Sequence, residues 1–152
     1  MRTLLWIAAA LLPAAAAAQT AADSAAIIAT AHDYIDGWYE GNAERMERSL
    51  HGDLAKRIVR QGRDGKDAVQ HQTAAMLVAG TGRGGGSNVP LDQRRNDVSI
   101  LSIFENAAMV RIEASDWVDF LQVGKVDDRW VIINVLWAFR PAALERMRGG
   151  GR

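Results

Sequence analysis

Two polar residues sit inside runs that are otherwise mostly apolar: Asp119 in WVDFLQVGKV (117–126) and Asn134 in WVIINVLWAF (130–139). A carboxyl or carboxamide held among apolar neighbours needs a bonding partner or a ligand. A carboxylate is also a group that can take a proton beside a carbonyl, while a tyrosine hydroxyl or a protonated acid holds the developing oxyanion. The chain carries the types such chemistry needs. Asp119 is the candidate base, with His51 or His71 as alternatives. Tyr34 or Tyr39 is the candidate donor, and Trp38 and Trp137 are candidate walls for stacking on a ring. The candidate catalytic residues are therefore Asp119, His51 and Tyr34. The candidate ligand-binding residues are Tyr34, Trp38, Asp119, Asn134 and Trp137. A structural role for Asp119 stands beside the functional one: it can accept bonds from backbone amides or pair with an arginine. The tryptophans have the same second reading, as core or interface.

Other chemistries lack their residues. With no cysteine, disulfides, thiolate metal sites and cysteine nucleophiles are excluded. His32 and Asp36, four apart on a helix, and His51 with Asp53 each offer two potential metal ligands where a site needs three or four. Gly80, Gly82 and Gly85 match G-x-G-x-x-G in letters, but a helical stretch precedes them and a loop follows, the reverse of a dinucleotide-binding turn. Gly65-Lys66-Asp67 lacks the remainder of a P-loop, and no serine stands in G-x-S-x-G. No cofactor and no metal are expected. Eighteen basic residues balance 18 acidic ones, which argues against a nucleic-acid partner. Arg140, Arg146, Arg148 and Arg152 make the tail basic, which reads as a solvated end.

The elements that must position these residues follow from punctuation and period. Met1 to Ala18 reads as a signal peptide: a basic start, an uncharged Leu/Ala run and Ala16-Ala17-Ala18 before Gln19. The run is shorter than the roughly 20 residues of a membrane span and contains Pro13, which favours cleavage after Ala18 over the alternative, a retained N-terminal anchor. Cleavage leaves residues 19–152 as one domain in the periplasm or outside the cell, off the membrane, with one basic residue fewer than before. A domain of this size can bury about two-thirds of its unfolded surface.

Asp23 or Ser24 can cap a helix running to about Glu40, whose apolar stripe is Ile27, Ala31, Tyr34 and Trp38, widened by Ile28, Ile35 and Tyr39. Asn42 can cap a second helix through Leu50. Leu54 to Arg60 reads as a transition in which Ile58-Val59 could begin a strand. Gln61 to Asp67 is a turn, Thr73 to Ala79 a short helix and Gly80 to Asn88 a flexible loop. The period then becomes 2, giving strands over 98–104, 108–114, 117–126 and 130–139 with two-residue turns at Glu105-Asn106 and Asp127-Asp128. Ala142 to Arg148 reads as a last helix. Helices first and antiparallel strands second make an α+β domain.

Turning at Asp127-Asp128 pairs Val126 with Arg129. An unbroken register then puts Asp119 and Asn134 on one face, with Val118, Phe120, Val135 and Trp137 on the other. Both faces are too apolar to meet water, so a partner subunit or the folded-back C-terminal segment should cover the second one.

The motifs YIDGWY (34–39), GNAERM (41–46) and LHGDLAKR (50–57), with DWVDFL (116–121) and WVIINVLW (130–137), resemble the putative lumazine-binding family. That family belongs to the nuclear transport factor 2-like superfamily, with ketosteroid isomerase and the polyketide cyclases. The resemblance spans roughly Ala25 to Phe139. It implies a cone, a curved antiparallel sheet wrapped around a long first helix, with a pocket at the wide end and dimers through the outer sheet face. Gly52 stands where such sequences often have Pro, Asp128 where a turn glycine is usual, and Gly84-Gly85-Gly86 resembles an insertion. The fold hosts isomerases, dehydratases, cyclases, binders and assembly domains. The expectation is an exported protein that binds a small hydrophobic or cyclic ligand. The alternatives are a proton-transfer isomerase or dehydratase and a homodimeric interaction module.

Overall fold

The computed structural model describes residues 12–62 and 64–149. The expected leader therefore falls largely outside the described residues. The chain folds as α1 (Leu12–Glu40), α2 (Ala43–Ser49), β1 (Leu50–Gln61), β2 (Asp67–Thr73), α3 (Ala74–Gly82), β3 (Asn96–Phe104), β4 (Ala107–Ala114), β5 (Trp117–Val126), β6 (Arg129–Phe139) and α4 (Pro141–Gly149). A single 3-10 turn, Leu91–Gln93, precedes β3. No described helix is long and apolar enough to cross a membrane.

The helical stripe of α1 is buried at Ile27, Ala31, Tyr34, Ile35 and Tyr39. The cap expected at Asp23 or Ser24 is not used, because α1 is already helical from Leu12. Asp23 instead accepts hydrogen bonds at 3.0 Å from Trp130 Nε1 and Lys125 Nζ, fastening α1 to the β5–β6 hairpin. Asn42 caps α2 by accepting from the Arg45 amide. Arg45 then bonds Asp33 at 3.0 Å and Glu40 at 2.8 Å, which locks α2 back onto α1.

Six strands form one sheet in the order β2-β1-β6-β5-β4-β3. All neighbours are antiparallel except β1 and β6, which run parallel. The segment read as a transition is a full strand, and 67–73 is a strand the sequence reading did not assign. Both were hidden because polar and charged residues break a clean alternation: β1 has Lys56 inward between Leu54 and Ile58, and β2 is mostly polar, with only Ala68 and Val69 apolar. The turns at Glu105-Asn106 and Asp127-Asp128 form where expected. Glu105, Asp127 and Asp128 have φ of 52°, 47° and 60°, and at Asp127-Asp128 two successive positive values are what a tight hairpin turn requires.

The register of β5 on β6 is the main correction. Pairing holds as expected from Val126↔Arg129 to Val123↔Ile132, then slips by one at a bulge, so that Gln122 meets Asn134 and Asp119 meets Trp137. An extra residue in one strand turns every later side chain to the other face. Ile133 is that residue. Its side chain lies over Gly124, where an added Cβ would stand 2.5 Å from Ile133 Cδ1. Trp137 therefore joins Asp119 on the inner, helix-covered face. Asn134 goes to the outer face, where its Nδ2 donates to Gln122 Oε1 at 3.0 Å.

The outer face stays open among the described residues. Phe104, Phe120 and Leu136 are 77%, 43% and 55% exposed. The C-terminal helix does not cover them. Its Ala143 is buried, and Arg146 pairs with Asp116 at the β4–β5 turn.

Candidate ligand pocket

The inner sheet face and the helices leave a pocket of about 220 Å³ lined by Tyr34, Ile35, Trp38, Met46, Lys56, Gln72, Leu77, Trp117, Trp137 and Phe139. Its aromatic wall is continuous. Trp117 meets Trp38 and Trp137 edge to face at 6.3 and 6.4 Å, and Trp137 meets Phe139 at 4.8 Å. Edge-to-face contacts hold rings in fixed orientation and are favourable beyond the area they bury.

Trp38 is held by backbone. Its carbonyl accepts from the Gly86 amide at 2.9 Å. A Cβ on Gly86 would stand 2.6 Å from Trp38 Nε1, and one on Gly85 would stand 2.6 Å from the Trp38 carbonyl oxygen. Only glycine permits that approach. The segment expected as a flexible loop is thus packed against the pocket wall.

The polar end of the pocket is a buried cluster. Lys56 comes from β1, two strands away from Asp119, and its chain crosses β6 with Nζ 4.9 Å from the Trp137 ring and 5.2 Å from the Tyr34 ring. Lys56 Nζ donates to Asp119 Oδ1 at 2.8 Å and to the Tyr34 hydroxyl at 2.5 Å. Trp117 Nε1 donates to Asp119 Oδ2 at 2.6 Å. Asp119 is fully buried and lies behind the lining. Two partners on separate oxygens compensate a charge that would otherwise be very costly to bury.

The Tyr34 hydroxyl can also donate to Asp119 Oδ2, but at 3.5 Å, longer than an ordinary O–H···O bond. Burial pushes the Tyr34 hydroxyl well above the ordinary phenol range, and the negative charge and hydrogen bond of Asp119 add to the shift. Tyr34 therefore keeps its proton at any physiological pH, and that proton has no short acceptor within the cluster.

Of the residues singled out from the sequence, Tyr34, Trp38 and Trp137 line this pocket, and Asp119 anchors it from behind. Asn134 is on the opposite face. His51 is not near it either. It opens β1, its Nδ1 accepts from the Asp53 amide at 3.2 Å, and it borders a separate open cleft of about 610 Å³ with α2 and α3. His71 is exposed on β2. The Tyr39 hydroxyl is occupied by Ser115 and the Arg95 carbonyl. His32 contacts Asp36 at 3.2 Å, and Asp36 also accepts from Asn96 and Arg45.

Lys56 was missed, as were Trp117, Gln72 and Phe139 as lining residues. The signal for Lys56 is a lysine between Leu54 and Ile58 at strand spacing, which marks a charge on a buried face. The structural reading of Asp119 named an arginine as partner; the cation is Lys56.

The chain belongs to the putative lumazine-binding family, whose model matches residues 22–138. Its fold is that of the nuclear transport factor 2-like (NTF2-like) proteins. An NTF2-like protein of unknown function from Silicibacter pomeroyi is 18% identical, covering 80% of this chain and 98% of its own, with a TM-score of 0.62. A similar protein of unknown function from Shewanella baltica is 19% identical, covering 80% and 96%, with a TM-score of 0.61. An NTF2-like protein with a cystatin-like fold from Novosphingobium aromaticivorans is 13% identical, covering 89% and 95%, with a TM-score of 0.62. No match is found among curated proteins.

Proposed function

We propose that this protein is an exported binder of a small cyclic ligand, which it holds between Trp38, Trp117, Trp137 and Phe139 and hydrogen-bonds through Lys56 and Tyr34. The observation that carries this is an apolar, aromatic-walled pocket with one buried polar cluster at its end, the usual composition of a small-molecule site. Its volume of about 220 Å³ is below the roughly 300–1,000 Å³ of drug-sized ligand sites and above the ~150 Å³ that accommodates benzene. That range suits one substituted ring or two small fused rings. The test is native mass spectrometry of the purified chain. A co-purifying small molecule that is lost in Trp38→Ala supports the reading, and a ligand-free protein to which no ring compound binds counts against it.

The proton-transfer alternative finds support in Tyr34, a protonated donor suited to an oxyanion. It finds less in Asp119, whose oxygens are already engaged and which does not line the pocket. Export is read from the leader. Its check is the N-terminus of the protein recovered from the periplasm or the medium, expected at Gln19. Pairing of two chains through the outer face is read from the exposed Phe104, Phe120 and Leu136.

A further inference from the structure

We infer that Asp119 makes this pocket select uncharged ligands that carry a hydrogen-bond acceptor, and reject carboxylates of the same shape. The inference rests on the binding reading above and deepens it.

Taken alone, Lys56 predicts the opposite. Among the described residues it is the one cation in the pocket lining, and a buried ammonium at the end of an apolar pocket normally calls for an anionic ligand. Its charge, however, is already met by Asp119 Oδ1 at 2.8 Å. An anionic ligand would bring a second negative charge to one cation, inside a largely apolar lining whose other polar side chains, Tyr34 and Gln72, can donate hydrogen bonds but carry no charge to balance it. Arg60 lies over the Phe139 ring at 5.5 Å but is exposed and outside the lining, so it does not supply the missing charge.

A neutral acceptor meets no such obstacle. Lys56 has three donor hydrogens and spends two, on Tyr34 and Asp119. Tyr34 accepts from Lys56 and has only the 3.5 Å contact to Asp119 for its own hydrogen. One ammonium hydrogen and one phenol hydrogen thus remain for a carbonyl-type oxygen, and the pair behind them is neutral overall. Asp119 acts here through Lys56 and is a specificity-determining residue that need not touch the ligand.

The experiment uses a matched pair, benzamide and benzoate, titrated against the full chain with tryptophan fluorescence as readout. Benzamide is expected to bind the unaltered protein at least tenfold more tightly. In Asp119→Asn, which keeps the shape and releases the Lys56 charge, the order is expected to reverse. Benzoate binding the unaltered protein as tightly as benzamide overturns the inference without any variant, so it stays decidable if Asp119→Asn does not fold. An unchanged affinity ratio in a folded Asp119→Asn also overturns it. If neither probe binds while the protein is folded, the binding reading itself fails and takes the inference with it.

Discussion

Lys56, Asp119, Tyr34 and Trp117 stabilise one another only as a set. Removing one member of a buried ion pair leaves the other charge uncompensated, which typically costs about 3–5 kcal/mol. Lys56→Met is therefore expected to lower the unfolding free energy by about that amount in urea denaturation. The double variant Lys56→Met/Asp119→Leu should recover at least half of the loss, because the stranded carboxylate is gone. If the two single effects simply add, the cluster is not coupled.

The acid limb of stability also belongs to individual residues. The hydrogen bond from Arg48 holds Asp33 below its usual carboxylate value, with Arg45 assisting. Arg140 does the same for Glu113, helped by Arg95 and Arg111. Such groups bind fewer protons folded than unfolded, so their contribution is present above the unfolded values of 3.8 and 4.5. It is lost as pH falls through the lower folded ones. Glu113→Gln should reduce stability at neutral pH and flatten the decline below about pH 4.5. A variant with an unchanged acid limb in pH-dependent thermal melts would contradict that assignment.

At the scale of elements, two local irregularities aim the pocket. One is the Ile133 bulge, which turns Trp137 inward and Asn134 outward. The other is the glycine run after α3, which presses on Trp38. Gly86→Ala puts a methyl group 2.6 Å from Trp38 Nε1 and 3.0 Å from Tyr39 Cδ1, so the Trp38 ring must shift to admit it. The expected cost is about 1–3 kcal/mol, with a shift in tryptophan emission. Gly52→Ala is the control, since nothing lies within 4 Å of its added Cβ, and it should be close to silent in the same melt.

The elements themselves were legible in the sequence wherever they had a clean period. The long helix, the capped α2 and the four C-terminal strands show a 3.6 or 2 repeat that burial then enforces. β1 and β2 were not legible, because β1 buries a lysine and β2 is mostly polar and sits at the sheet edge. The bulge was invisible because a one-residue slip leaves the alternation of a doubly apolar strand almost unchanged. What betrays it is the space over Gly124, a property of two strands together.

For the whole molecule, the surface that bears on assembly is the outer sheet face. Phe120 and Leu136 pair across β5 and β6, Met109 stands opposite Gln122 two residues along, and with the protruding Phe104 these side chains give the outer face exposed apolar surface of a kind monomeric proteins usually keep small. Phe120→Lys is expected to convert a sedimenting dimer to a monomer while leaving the pocket probes' affinity unchanged, since Phe120 points away from Asp119 on the same strand. A concentration-independent monomer in the unaltered chain would remove the dimer.

The sequence by itself determined the α+β class, the order of most elements, the family and three of the aromatic and hydroxyl groups that line the pocket. These follow from periods and motifs, which are local. Only the tertiary structure decided which face each residue meets, and that the partner of Asp119 is a lysine 63 positions away in the chain. It also placed Asp119 behind the pocket lining, ion-paired with Lys56 and bonded by Trp117. The reason is physical. Register, burial and ion pairing depend on which strands lie side by side, and a single extra residue in β6 shifts every β5–β6 pair beyond it.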